Sequence, residues 1–251
     1  MNSFAGTREV PLFTFRGHHS DGFAMDWSRT QPGYFASGDC TKFIHVYRPN
    51  DSGKWEVNST PLVGHSNSVE DIQWSPNEQN IFASCSVDRS LRVWDIRTNN
   101  SMISVPNAHK SDVNVISWNR LDSVFLLSGG DDHAIKVWDM RQFVRGGQAR
   151  PIATFMHHTA PITSVEWSYH DSTVFAASGE DNQITIWDLS VEKDESESSN
   201  INEKLKSLPP QLLFIHQGQK EIKELHWHQQ IPGFIISTAS SGFDIFKTIN
   251  I

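Results

Sequence analysis

One spacing constrains this chain more than any other feature. Nine residues separate a histidine from a tryptophan in four places: His18 to Trp27, His65 to Trp74, His109 to Trp118 and His158 to Trp167. Twenty residues after each of those tryptophans stands another aromatic: Tyr47, Trp94, Trp138 or Trp187. A looser fifth copy runs from His216 through Trp227 to Phe246, so successive histidines lie 47, 44, 49 and 58 residues apart. Self-similarity at a fixed period means that one structural unit is built several times, with each unit burying its apolar face on the next.

The residues before each second aromatic show what kind of unit it is. They read Ile44-His45-Val46-Tyr47, Leu91-Arg92-Val93-Trp94, Ile135-Lys136-Val137-Trp138, Ile184-Thr185-Ile186-Trp187 and Phe243-Asp244-Ile245-Phe246. Apolar, polar, apolar, aromatic is a period of two and predicts a strand. An aromatic in the polar phase means that both faces of the strand meet protein. Further strands are expected at Val69–Trp74, Ile81–Cys85, Val113–Trp118, Val124–Ser128, Ile162–Trp167, Val174–Ser178 and Phe234–Thr238. Turn signals such as Gln31-Pro32-Gly33, Ser75-Pro76-Asn77 and Ile231-Pro232-Gly233 fall between them. No window has a helical period long enough to compete, so the chain reads as all-β.

A strand is also expected just ahead of each histidine: Pro11–Phe15, Pro61–Val63, Met102–Val105, Pro151–Phe155 and Leu212–Ile215. The expected organisation is a polar lead-in over 1–10, then repeats near 11–48, 59–97, 102–141, 150–190 and 211–251. A flexible acidic loop, VEKDESESSNINEKLKSLPP, fills 191–210 and has too few apolar residues to order itself. A period of roughly 40–45 residues with G-H…W-D ends and four strands per unit is the signature of the WD-repeat β-propeller. Five blades are expected here. Either Pro11–Phe15 closes them into a five-membered ring, or they are an incomplete portion of a seven-bladed one; the second is the reading adopted.

Composition narrows the function. Nine tryptophans and fifteen phenylalanines can supply one large core in 251 residues. The formal net charge of −8, with no Lys/Arg-rich run, argues against gripping DNA or RNA by its phosphates and suits a basic protein partner. No long apolar run argues for membrane insertion, and no secretory leader is recognisable. Cys40 and Cys85 lie in different repeats and read as small buried hydrophobes of a reducing compartment.

His65, Ser84 and Asp88, and again His109, Ser128 and Asp132, have the residue types of an acyl-transfer triad. Catalysis needs one pocket, whereas a set that recurs once per unit belongs to the construction of each unit, so no enzymatic activity is expected. The twelve histidines show no close ligand spacing such as H-E-x-x-H, so neither metal nor cofactor is expected.

The loops carry a more specific resemblance. HSNSVEDIQWSPNEQNIFASCSVDRSLRVWDIR, AHKSDVNVISWNR, FLLSGGDDHAIKVWDMRQF, HHTAPITSVEW, LPPQLLFIHQG, KELHWH and SGFDIFKTI resemble the carboxy-terminal portion of the glutamate-rich WD-repeat proteins, nucleolar relatives of histone-binding chaperones. The resemblance covers nearly all of 11–251 and starts after that family's acidic tract, leading helix and first blades. It implies action in the nucleus and nucleolus, in large-subunit ribosome assembly as carrier of a new ribosomal protein, and histone binding. It also implies that His65, Ser84, Asp88 and Trp94 form a buried hydrogen-bond network, as do His109, Ser128, Asp132 and Trp138, with His158, Asp181 and Trp187 in the fourth repeat. Repeat one has Thr41 where the turn aspartate belongs and Tyr47-Arg48 for Trp-Asp, repeat four has Ala177 at the serine position, and repeat five has Phe246-Lys247. Weaker networks are therefore expected in those three.

Propeller geometry places the residue before each turn aspartate (Val87, Asp131, Glu180) on the narrow face, and the expectation adds Glu70, Asp71 and Glu166 as strand-start neighbours. Those carboxylates would suit a Lys/Arg-rich client. Trp94-Asp95-Ile96-Arg97 and Trp138-Asp139-Met140-Arg141 also resemble the WDxR box that docks on a cullin-type ubiquitin-ligase adaptor, with Arg97 and Arg141 as the contacts.

Overall fold

A computed structural model of the chain describes residues 10–98, 100–144, 149–192 and 208–248. Five antiparallel sheets follow one another in the chain. The first holds β1 (Met25–Trp27), β2 (Phe35–Gly38), β3 (Ile44–Pro49) and β4 (Trp55–Val57), hydrogen-bonded in that order. The second holds β5 (Val69–Trp74), β6 (Ile81–Ser86), β7 (Leu91–Asp95) and β8 (Asn100–Val105). The third holds β9 (Val113–Trp118), β10 (Phe125–Gly130), β11 (Ile135–Asp139) and β12 (Ala153–Phe155). The fourth holds β13 (Ile162–Trp167), β14 (Val174–Gly179), β15 (Gln183–Asp188) and β16 (Leu212–Gln217). The fifth has three strands: β17 (Glu224–Trp227), β18 (Phe234–Ala239) and β19 (Gly242–Lys247). Among the described residues a single 3-10 turn, Met140–Gln142, interrupts the all-β pattern.

The cores lie between the sheets. Val46 and Ile44 of the first sheet pack with Ile72, Phe82 and Trp94 of the second. Cys85 and Val93, on the other face of that same second sheet, pack with Val113, Trp118 and Trp138 of the third. Leu127 and Val137 meet Trp167, Phe175 and Trp187, and Ala176 and Ile186 meet Leu225, Trp227 and Ile235. Alternate residues of one strand therefore serve two different cores, which is why the polar phase of the repeat carries a tryptophan. The innermost strands pack in sequence, β1 on β5, β5 on β9, β9 on β13 and β13 on β17, as blades around an axis do. No comparable packing joins β17 to β1 among the described residues.

The strand ahead of each histidine is the outer strand of the preceding sheet at β8, β12 and β16, which pair with β7, β11 and β15. Two expectations need correction. Pro11–Phe15 forms no strand; Phe13 and Phe15 instead set their rings edge-on to Tyr47, with centroids 6.4 and 5.3 Å away. The fourth place in the first sheet goes to Trp55–Val57, and Pro61–Val63 contributes only an isolated bridge, Ile44 to Leu62. Most of the acidic stretch 191–210, and nearly all of the polar lead-in 1–10, lie outside the described residues.

Candidate functional site

Four of the five blades are closed by a polar knot. In the second, His65 Nε2 lies 2.7 Å from the Ser84 hydroxyl and its Nδ1 lies 3.0 Å from the Asp88 carboxylate. The Trp94 indole N–H donates to the same hydroxyl at 2.8 Å. The third blade repeats this with His109, Ser128, Asp132 and Trp138 at 2.7, 2.7 and 2.8 Å. Burial holds both imidazoles below their usual pKa, against the opposing pull of their aspartates. Against its own desolvation, hydrogen bonds led by the histidine hold Asp132 down to about 2, and the same contacts hold Asp88 lower still. The favoured state is a neutral imidazole beside an ionised carboxylate.

The connectivity is that of a catalytic triad, yet its setting is not. Ser84 and Ser128 are 0% exposed, and each hydroxyl already bonds a histidine and a tryptophan. Such a hydroxyl cannot reach a substrate. Its partners instead satisfy groups that would cost about 1–3 kcal/mol each if left buried and unpaired.

The first and fourth blades, where the sequence suggests weaker networks, complete theirs through other residues. In the first, Asp39 rather than Thr41 accepts from His18 Nδ1 at 2.9 Å, while Ser37 bonds His18 Nε2 and the Tyr47 hydroxyl. Thr41 donates its hydroxyl to Asp39, completing the turn. In the fourth, Ala177 leaves a gap that Thr185 fills from the neighbouring strand, with His158 Nε2 at 2.9 Å and the Trp187 indole N–H at 2.8 Å; Asp181 meets His158 Nδ1 at 3.0 Å. In the fifth, His216 belongs to β16 and stacks on Phe246 at 4.1 Å. Gln219 stands in the histidine's place, accepting from Ser237 at 2.5 Å.

A second recurring set joins the blades. The residue before each first tryptophan supplies an acceptor to the backbone N–H of the next blade's tryptophan: Asp26 to Trp74 at 2.7 Å, Gln73 to Trp118 at 2.8 Å, Ser117 to Trp167 at 3.2 Å and Glu166 to Trp227 at 2.7 Å. Nothing in the composition of any one repeat announces this clasp. Aligning the repeats does, since the four members followed by another blade, Asp26, Gln73, Ser117 and Glu166, can each accept a hydrogen bond.

This geometry divides the five candidate carboxylates. Glu70 is the second residue of β5, skipped by the pairing to β6, and that bulge turns it toward the mouth of the cavity inside the arc. Asn114 and Thr163 are skipped likewise in the third and fourth blades. Asp131 and Glu180 follow the ends of β10 and β14, which by antiparallel pairing lie at the same rim. Asp131 accepts from Asn114 at 2.8 Å and Glu180 faces Lys223 at 3.7 Å. Val87 follows β6 at the corresponding turn. Asp71 sits deeper, committed to the Ile116 N–H at 2.9 Å, with burial pushing its pKa up to about 7. Glu166 is not at the strand start: it is the penultimate residue of β13, near the opposite rim.

Arg97 and Arg141 extend from the ends of β7 and β11. Each closes a two-pronged fork on the aspartate two residues earlier, Asp95 at 2.6–2.9 Å and Asp139 at 2.8–2.9 Å, while remaining largely exposed. The two forks are alike and lie on the face away from the histidine knots. Among the described residues no cluster of His, Cys, Asp and Glu could hold a metal ion, and no helix is long and apolar enough to cross a membrane.

Comparison with known proteins agrees with this architecture. Residues 55–95, 100–139 and 149–188 match the WD domain, G-beta repeat family. The chain is 55% identical over 249 residues to glutamate-rich WD repeat-containing protein 1 of Dictyostelium discoideum, covering 98% of this chain and 51% of that protein. It is 46% identical over 243 residues to ribosome assembly protein rrb1 of Schizosaccharomyces pombe, covering 95% and 50%. Protein HEAT STRESS TOLERANT DWD 1 of Arabidopsis thaliana is 53% identical over 250 residues, covering 97% and 53%. The chain thus spans about half the length of the curated relatives it matches.

Proposed function

The chain belongs to the WD-repeat family, beside the glutamate-rich WD-repeat proteins, and from that premise we propose that it is a non-catalytic scaffold and chaperone of basic clients in ribosome assembly. The clients are a large-subunit ribosomal protein and histones, and the place of action is the nucleus and nucleolus. One observation carries this reading: Glu70, Asp131 and Glu180 stand at the same rim of three consecutive blades, above cores that the polar knots have sealed. A row of carboxylates on rigid strand ends suits Arg and Lys side chains, and complementary fields accelerate encounter. The test is capture of a Lys/Arg-rich ribosomal-protein segment and of histones by the purified chain at moderate salt. Binding of either client supports the reading; binding of neither overturns it.

The twin Asp–Arg forks favour a second reading, a substrate receptor docking on a ubiquitin-ligase adaptor through Arg97 and Arg141. Replacing both by Ala should then abolish adaptor binding while the chain still folds, with a small loss of melting temperature from the two broken forks. Undiminished adaptor binding removes this reading.

A further inference from the structure

The inner strands line a cavity of about 580 Å³, and its two ends differ in chemistry. Counting two residues beyond each first tryptophan gives the layer at the strand-end mouth: Arg29, Pro76, Arg120, Tyr169 and Gln229. Four of the five line the cavity, and none is acidic. The layer just inside it contains Asp26 and Glu166, but their carboxylates are already committed to the N–H groups of Trp74 and Trp227. Glu166 also accepts the Tyr169 hydroxyl at 2.8 Å.

The arginines are left with more donors than acceptors. Arg120 lies 4.4 Å over the Tyr169 ring, and its Nη1 is shut off from solvent with no hydrogen-bond partner. Arg29 is exposed at the same mouth, and both guanidinium charges act on Asp26. Guanidinium hydrogens enclosed without an acceptor are a standing cost, which an anion placed between the two side chains would relieve.

We propose that this strand-end mouth binds a carboxylate of an acidic protein segment, independently of any basic client on the opposite rim. A carboxylate fits better than a phosphate. Its two oxygens match the guanidinium fork, and the neighbouring Asp26 and Glu166 repel a dianion more strongly than a monoanion.

The experiment uses the full chain and a fluorescein-labelled peptide of alternating Glu and Ser, with free or amidated carboxy terminus, followed by anisotropy at low salt. Binding that weakens as salt rises is expected; survival on amidation assigns side-chain carboxylates, and loss assigns the terminal one. Changing Arg29 and Arg120 together to Gln should lower affinity at least tenfold, and Arg120→Lys should fall between. Arg29→Gln alone, at an exposed position, keeps the test open if the double variant folds poorly; its affinity should also drop. Absence of binding, indifference to Arg29→Gln, or displacement by inorganic phosphate at lower concentrations than by acetate would overturn the proposal.

Discussion

The second blade and the looser fifth copy of its pattern end very differently. In the second, Trp94 is 0% exposed, its indole N–H is bonded to Ser84, and both faces of the sheet are covered by neighbours. In the fifth, three strands carry a Gln219–Ser237 bond in place of the knot, and Phe243 and Ile245 are 67% and 61% exposed. The contrast teaches that the knot and the packing on both faces go together. A buried histidine–aspartate pair is tolerable only where its hydrogen bonds are complete and water is excluded. Where one face of a sheet is open among the described residues, a stacked imidazole and a carboxamide serve instead.

The largest expected difference comes from the tryptophan position. Trp94→Ala should lower unfolding free energy by about 3–5 kcal/mol, the range for large buried aromatics. Phe246→Ala should cost roughly half as much, since part of that ring already meets water. Equal losses in denaturant melts would break the comparison.

Next come the hydroxyls. Ser84→Ala strands His65 Nε2 and the Trp94 indole N–H, at about 1–3 kcal/mol. Thr185→Val in the fourth blade should behave in the same way, although that residue lies on a different strand. A neutral Thr185→Val would contradict its assignment as the stand-in for the missing serine.

pH sharpens the contrast further. The imidazoles of His65, His109 and His158 are held below their usual pKa mainly by burial, so the unfolded chain binds more protons than the folded one below about pH 6.5, and stability falls as pH drops through that range. The lowered Asp88 and Asp132 add a further loss as pH falls below about 4, complete only once their folded carboxyls protonate. Groups whose pKa is raised act in the opposite direction, Asp71 and His226 most strongly. Asp71, pushed up to about 7, loses its preference for the fold as pH rises from about 4 to 7. His226, raised to about 8 chiefly by its hydrogen bond to Glu166, loses its contribution as pH rises from about 6.5 through 8. The melting temperature should therefore peak near neutrality. His226→Gln, at an exposed side chain and the smallest effect of this series, should flatten the alkaline side; an unchanged alkaline limb would remove His226 from the account.

The repeat register made most of the fold legible: Val69–Trp74, Val113–Trp118 and Ile162–Trp167 run as strands between the residues that the spacing named. What escaped was substitution across strands. Thr185 and Asp39 take over roles that a position-by-position template gives to Ala177 and Thr41, because a hydrogen bond depends on where an oxygen lies in space and not on which residue supplies it. Glu166 was misplaced for a related reason. Its charge suggested an exposed partner contact, while its column in the aligned repeats marks the clasp between blades. Arg29 and Arg120 became meaningful only when the inner strands were brought around a shared cavity.

The central claim is that sealed blades leave the work to a charged rim. The most direct test compares the affinity of a Lys/Arg-rich ribosomal-protein segment for the chain and for the triple variant Glu70→Gln, Asp131→Asn and Glu180→Gln, with melting temperatures recorded for both. The account predicts at least a tenfold loss of affinity at an unaltered melting temperature. Full affinity in the triple variant would contradict it.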